Sequence, residues 1–201
     1  MTFPPNSAAS RKLPKRRRHN THEVKMQVKI RKALSSDIDV INDIYNHIHT
    51  EQENGKVYIG WIRGIYPTGT TAEEALLRDV LFVEESDGKI VGAAIINQTQ
   101  LDTYREADWQ YALPDEQVMV LHTLVIDPYS KGKGFGKRFV EYYERYAAEH
   151  GCSALRIDTN ELNTNARSFY KKLRYPEVGI IPCTFNGIPD IGLVLLEKKL
   201  N

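Results

Sequence analysis

The stretch Val125-Ile126-Asp127-Pro128-Tyr129-Ser130-Lys131-Gly132-Lys133-Gly134-Phe135-Gly136-Lys137 decides how this sequence is read. It follows a nearly continuous apolar run from Val118, which predicts a strand buried on both faces. The glycines at 132, 134 and 136 allow close backbone approach and unusual dihedrals. A helix is predicted from Phe135 to His150, with Phe139, Val140, Tyr143 and Ala147 on its inner face. Successive N–H groups where a loop opens a helix form a cradle for phosphate oxygens. Lys131, Lys133 and Lys137 add positive charge around it.

Two other phosphate loops fail on spacing. A Walker loop needs GxxxxGK and then Ser or Thr. Here Gly132 and Gly136 are one residue too close, and Arg138 stands where the magnesium-binding hydroxyl belongs. A Rossmann fingerprint needs GxGxxG in a first βαβ unit. This sequence has GxGxG, late in the chain.

Outward from the loop the pattern stays regular. Val24, Met26, Val28 and Ile30 alternate with polar residues, as in a half-buried strand. A helix capped by Ser35 or Ser36 follows, with Ile38, Ile41, Ile44, Tyr45 and Ile48 at helical spacing. Thr71 with Glu74 matches a capping box for a short second helix. Asp87-Gly88 and Asn186-Gly187, each between apolar runs, predict hairpins. Residues 97–116 read as a loop whose aromatics Tyr104, Trp109 and Tyr111 either wall a substrate or anchor to the core. Residues 154–157 form a strand and 163–173 a helix. The predicted order is β-α-α-β-β-β-α-β-α-β-β, an α/β mixed sheet with helices on its faces.

The 201 residues suit one domain plus a tail. Residues 1–23 read as a disordered basic arm, with Arg11, Lys12, Lys15, Arg16, Arg17 and Arg18 and no acid before residue 20. Outside residues 1–20, 21 Lys and Arg face 26 Asp and Glu, a balance of about −5. Nucleic acid is therefore an expected partner only through the arm. Cys152 and Cys183 show no metal or redox spacing, which fits a reducing, cytoplasmic setting without a metal. No apolar run approaches a membrane span of roughly 20 residues, and no signal-peptide core opens the chain.

The loop resembles the acyl-CoA loop of the GNAT superfamily of N-acetyltransferases, Arg/Gln-x-x-Gly-x-Gly/Ala after a strand and Asp-Pro. Here it reads Lys131-x-x-Gly134-x-Gly136, with lysine at the basic position. The second signature of that superfamily appears as Asn163-Thr164-Asn165-Ala166-Arg167-Ser168-Phe169-Tyr170-Lys171-Lys172-Leu173-Arg174-Tyr175, with Arg174 where glycine is usual. The similarity runs from about residue 24 to 200, as one domain over 24–201.

The resemblance implies acetyl-CoA as co-substrate and a primary amine of a small molecule, amino acid or peptide as acceptor. It assigns the pantetheine and the thioester to the strand residues Leu124, Val125 and Ile126. The pyrophosphate falls to Lys131, Gly132, Lys133, Gly134, Phe135, Gly136 and Lys137, with Asn163 a further CoA contact or helix anchor. Tyr170 matches the general acid. His122, on the buried strand, is the candidate base; an imidazole near its unperturbed pKa of about 6.5 takes a proton at neutral pH. His47, His49, Glu51, Trp61, Tyr66, Tyr104 and Trp109 precede or flank the expected acceptor mouth. A homodimer is left open. Two other readings stand beside this one: a silent acyl-CoA-binding sensor, and a protein-lysine acetyltransferase directed by its basic arm.

Overall fold

The computed structural model describes Met1 and residues 27–200. Residues 2–23 of the predicted basic arm and residues 24–26 of the predicted first strand lie outside them. The strands are β1 Val28–Lys32, β2 Leu81–Ser86, β3 Lys89–Asn97, β4 Val118–Ile126, β5 Ala154–Asn160, β6 Glu177–Phe185 and β7 Ile188–Lys199. The helices are α1 Ile38–Glu53, α2 Gly69–Leu77, α3 Phe135–Glu149 and α4 Thr164–Lys172. Their order along the chain is the predicted one. They build one mixed α/β domain around a seven-stranded sheet, β1-β2-β3-β4-β5-β7-β6. All neighbours pair antiparallel except β4 with β5. A parallel pair needs a crossover, and α3 supplies it.

Strand alternation sorts the core onto two faces. Phe82, Ile96, Leu121, Ile157 and Val194 pack under α3 and α4. Leu81, Val83, Ala93, Ile95 and Val125 face α1 and α2. Farther along that second face, Val120, Leu193 and Leu195 lie under Tyr104 of the 97–116 loop. Both predicted hairpins form. Asp87 and Gly88, then Asn186 and Gly187, are left-handed at φ 49°, 78°, 51° and 77°, as a two-residue turn matching strand twist requires.

Two helix starts differ from the sequence reading. Asp37 is drawn into a pair with Arg31 at 2.6 Å and accepts from the Leu34 amide at 2.7 Å. Residues 35–37 are thereby wound into a 3₁₀ turn, and α1 begins only at Ile38. In α2 the cap is Thr68 rather than Thr71. The Thr68 hydroxyl accepts from the Thr71 amide and the Thr71 hydroxyl from the Thr68 amide, which moves the box three residues upstream.

Arg174, just past α4, sits at φ 64°. A left-handed residue with a Cβ costs about 1–2 kcal/mol, and glycine removes that cost while adding freedom to the unfolded chain. Arg174→Gly is expected to raise the melting temperature by about 2–4 °C, equivalent to roughly 1 kcal/mol for a chain of this size. A lowered melting temperature would show that the arginine side chain holds the helix exit.

Candidate active site

The site is made by a strand that parts from its neighbour. β4 and β5 pair from Val118 with Ala154 to Leu121 with Ile157 and no farther. On its other side β4 slips against β3 between Ala93 and Ile95. The slip falls at Thr123, whose φ of 52° is a true outlier for a β-branched residue. The Thr123 hydroxyl is hydrogen-bonded to the Tyr66 phenol, which helps hold it there. The bulge resets the alternation, so Leu124 and Ile126 join Leu121 on the α3/α4 face. The edge of β4 beyond Leu121 has no β5 partner, so its backbone groups are free for a ligand.

A cavity of about 780 Å³ passes through the sheet at this split. Leu124, Ile126, Asn163, Ala166 and Tyr170 line it on the α4 side. Trp61, Tyr66, His122, Asp158 and Phe185 line it on the other. The volume lies within the range of small-molecule sites.

The glycine loop follows β4. Asp127 caps a 3₁₀ turn over Pro128–Ser130 by accepting from the Tyr129 amide. Gly132 and Gly134 are left-handed at φ 85° and 77°, and Gly134 is the N-cap of α3. The first intrahelical bond there runs from the Arg138 amide to the Gly134 carbonyl, 3.1 Å. The amides before it have no partner in the helix and carry its positive pole. A Cβ at Gly136 would meet the Phe169 ring at 3.4 Å, so glycine lets α3 and α4 approach. The Phe135 side chain is buried in the core, leaving only its backbone for a ligand. Lys131, Lys133 and Lys137 are exposed; Lys131 lies 4.0 Å from Glu51 and Lys137 3.5 Å from Glu141.

The buttress beneath the loop escaped the sequence reading. Arg138 Nη1 donates to the Lys133 carbonyl at 3.0 Å, and Nε donates to Glu84 of β2 at 3.1 Å. Glu84 is fully buried, and burial pushes its carboxyl up to about 7 against the pull of Arg138. An arginine noted only as the wrong residue for magnesium therefore fixes the turn.

At the vertex of the split His122 is nearly buried, and its imidazole pKa falls to about 4. Burial is the main cause; the Thr99 backbone works against it and Arg78 adds to the lowering. The expectation of a pKa near 6.5 is thus corrected: the ring is neutral throughout the physiological range. Asp158, absent from the sequence reading, lies beside it, with Oδ2 3.8 Å from His122 Nδ1. The Tyr104 phenol donates to the same oxygen at 2.6 Å. Burial pushes the Asp158 carboxyl up to about 6, against that hydrogen bond. Tyr170 is buried, and desolvation followed by Asp158 holds its phenol well above its ordinary value. Asn163 caps α4 by accepting from the Ala166 amide at 3.1 Å and also faces the cavity.

The other expected mouth residues divide. Trp61 and Tyr66 line the cavity, and burial pushes the Tyr66 phenol up to about 12. His49 is bonded to the Pro67 carbonyl at 3.1 Å, and Glu51 to Lys56 at 2.8 Å. His47 lies tilted against Tyr129, ring centroids 4.6 Å apart. Trp109 anchors the 97–116 loop by lying 3.9 Å from the Arg156 guanidinium. Arg167 is held by Glu177 at 2.8 Å. Among the described residues no group of three or more His, Cys, Asp and Glu could hold a metal ion, and no helix is long and apolar enough to cross a membrane.

The sheet thus parts beside a glycine-rich turn that opens a helix. The profile of the acetyltransferase (GNAT) family matches residues 41–175, and the chain belongs to that family. YhfO of Bacillus subtilis (strain 168), an uncharacterized N-acetyltransferase, is 27% identical over 99 residues, 49% of this chain and 59% of YhfO. The chain thus spans about three fifths of that curated relative. A GNAT-family acetyltransferase of Streptococcus agalactiae 2603 superposes with a TM-score of 0.71 at 19% identity, covering 87% of this chain and 96% of its own. The structure of yncA of Salmonella typhimurium, solved with its cofactor acetyl-CoA, gives 0.60 at 16% identity, over 87% and 94%. These two likenesses concern the fold.

Proposed function

We propose that the chain transfers an acetyl group from acetyl-CoA to a primary amine of a small molecule, amino acid or peptide. The observation that carries this reading is the adjacency of the split strand and the glycine turn. The turn from Lys131 to Lys137 offers amides and lysines to a pyrophosphate. The unpaired edge of β4 at Leu124, Val125 and Ile126 offers backbone groups to the pantetheine and thioester. An N–H at Leu124 aimed at the developing oxyanion contributes about 2.7–4 kcal/mol when preorganised. Tyr170 supplies the proton for the leaving sulfur. A neutral His122 accepts a hydrogen bond at the amine side.

The test is free-thiol release from acetyl-CoA across a broad amine panel, beside calorimetry with CoA. Gly134→Ala forces a Cβ into the left-handed N-cap, a strain of about 1–2 kcal/mol. It is expected to raise KM for acetyl-CoA about tenfold with little change at the amine. CoA binding without turnover of any amine would favour a sensor, and no heat with CoA would remove both readings.

A further inference from the structure

We propose that Asp158 is a catalytic residue: its carboxylate docks the acceptor as an alkylammonium ion at the vertex of the β4–β5 split and takes the proton that frees the amine to attack, with His122 positioning it. This rests on the transferase reading above.

Four observations carry the assignment. Asp158 stands on β5 one residue beyond the last paired position, Ile157, directly across from His122, one residue beyond Leu121. Both side chains therefore emerge where the sheet opens, on the face opposite α3 and α4. The only hydrogen bond to the carboxylate among the described residues comes from Tyr104 to Oδ2, so Oδ1 is left for a ligand in the cavity that Asp158 lines. No basic side chain of the described residues pairs with it except the neutral His122. Finally, His122 of β4 and Tyr104 of the 97–116 loop reach it directly, and Tyr66 of the α1–α2 connection and Tyr170 of α4 line the same cavity. A nearly buried carboxylate beside a phenol and a neutral imidazole, in a cavity that two more phenols line, is a cation site of alkylammonium size. Trp61, Tyr66 and Phe185 give the carbon chain an apolar wall.

The step balances. The ammonium gives one proton to Asp158; nitrogen bonds to the thioester carbon; the C–S bond breaks and sulfur takes the Tyr170 proton. The phenolate recovers a proton from the nitrogen, and the Asp158 proton passes to solvent. Ammonium and thioester thus become amide, thiol and one released proton.

The experiment compares Asp158→Asn with wild type at saturating acetyl-CoA from pH 5 to 10. The probes are phenethylamine, charged at neutral pH, and its near-isostere O-benzylhydroxylamine, which is uncharged there. Wild-type kcat/KM for phenethylamine should rise through an acidic limb near pH 6. The variant should lose about 100-fold at pH 7, the lower end of what a positioned proton acceptor contributes. Its limb should vanish, leaving a rate that climbs about tenfold per pH unit toward the pKa of the amine, near that of lysine at about 10.4. Turnover of O-benzylhydroxylamine should fall less than about threefold, because it has no proton to lose before attack. The asparagine keeps an acceptor for Tyr104 and removes a buried charge. The folded carboxyl titrates above its unfolded value, so the charge weakens the fold as pH rises through about 6. The melting temperature of the variant at pH 7 should therefore not drop. An unchanged acidic limb, or equal losses with both probes, would overturn the assignment. So would wild-type turnover of neither probe, even if thiol release with other amines upheld the transferase reading.

Discussion

Tyr170→Phe is expected to lower kcat about 10³-fold while the affinity for CoA stays within a factor of two. General acid catalysis contributes about 10²–10⁴-fold, and the substitution removes one oxygen from a ring otherwise held by apolar contacts. The ring packs against Phe169 at 5.1 Å and Tyr175 at 6.1 Å, so phenylalanine keeps the same seat. The CoA turn draws nothing from the phenol. Single-turnover thiol release with CoA calorimetry separates the two quantities, and an unchanged kcat would remove the role.

The phenol pKa sets how the proton moves. Burial and the Asp158 carboxylate both hold it well above its ordinary value, so Tyr170 is protonated at every working pH. A thiol titrates near about 8.5, and full transfer from the phenol to a free thiolate is therefore uphill. The favourable course is concerted: the phenol gives to sulfur as the nitrogen, positively charged after attack, returns a proton to the phenol oxygen. Wild-type kcat should accordingly show no alkaline limb from this group between pH 7 and 9.5. A limb there that disappears in Tyr170→Phe would mean that the acid titrates much lower than its surroundings dictate.

Much of this site was legible because its signals are local. The glycine turn, the apolar run of β4, the Asp-Gly and Asn-Gly turns and the second signature all lie within a few residues of the chain. The family resemblance also singled out His122 on that strand. What stayed hidden depends on partners far apart in sequence. Arg138 meets Glu84 across 54 positions, and His122 meets Asp158 across 36. The pKa of His122 is an example: an isolated imidazole value carries no information about burial beneath a loop. One signal was available and missed. In Ala154-Leu155-Arg156-Ile157-Asp158 the strand period of two sets Leu155 and Ile157 on one face and two charged residues on the other. Ending the strand at Ile157 left Asp158 out of the sheet, and with it the carboxylate that faces the cavity. The first helix start was misplaced for a nearer reason: Asp37 is claimed by Arg31 of β1, six residues away, before it can cap α1.

The other charged residue of that face carries the largest stability effect expected in the chain. Arg156 and Glu197 are cross-strand partners in β5 and β7, with Nε donating to Oε1 at 3.1 Å, and both side chains are buried. The pair also holds the 97–116 loop. Arg156 donates to Gln100 at 3.0 Å and to the Tyr111 carbonyl at 3.3 Å, beneath Trp109. Glu197 Oε2 accepts the Gln110 and Tyr111 amides at 2.8 and 3.2 Å. Removing one partner leaves the other as an uncompensated buried charge, a loss of about 3–5 kcal/mol. Arg156→Met is therefore expected to lower stability by that amount in urea unfolding and to open the 97–116 loop to proteolysis. Glu197→Leu should cost about as much. The double variant should be more stable than the sum of the singles by about 2 kcal/mol or more, because neither charge is then stranded. Strict additivity would show that the two residues act independently. The loop also delivers Tyr104 to Asp158, so the single variants should lower activity at temperatures where the sheet itself is still folded. Loop opening without that loss would mean that Tyr104 reaches the carboxylate unaided.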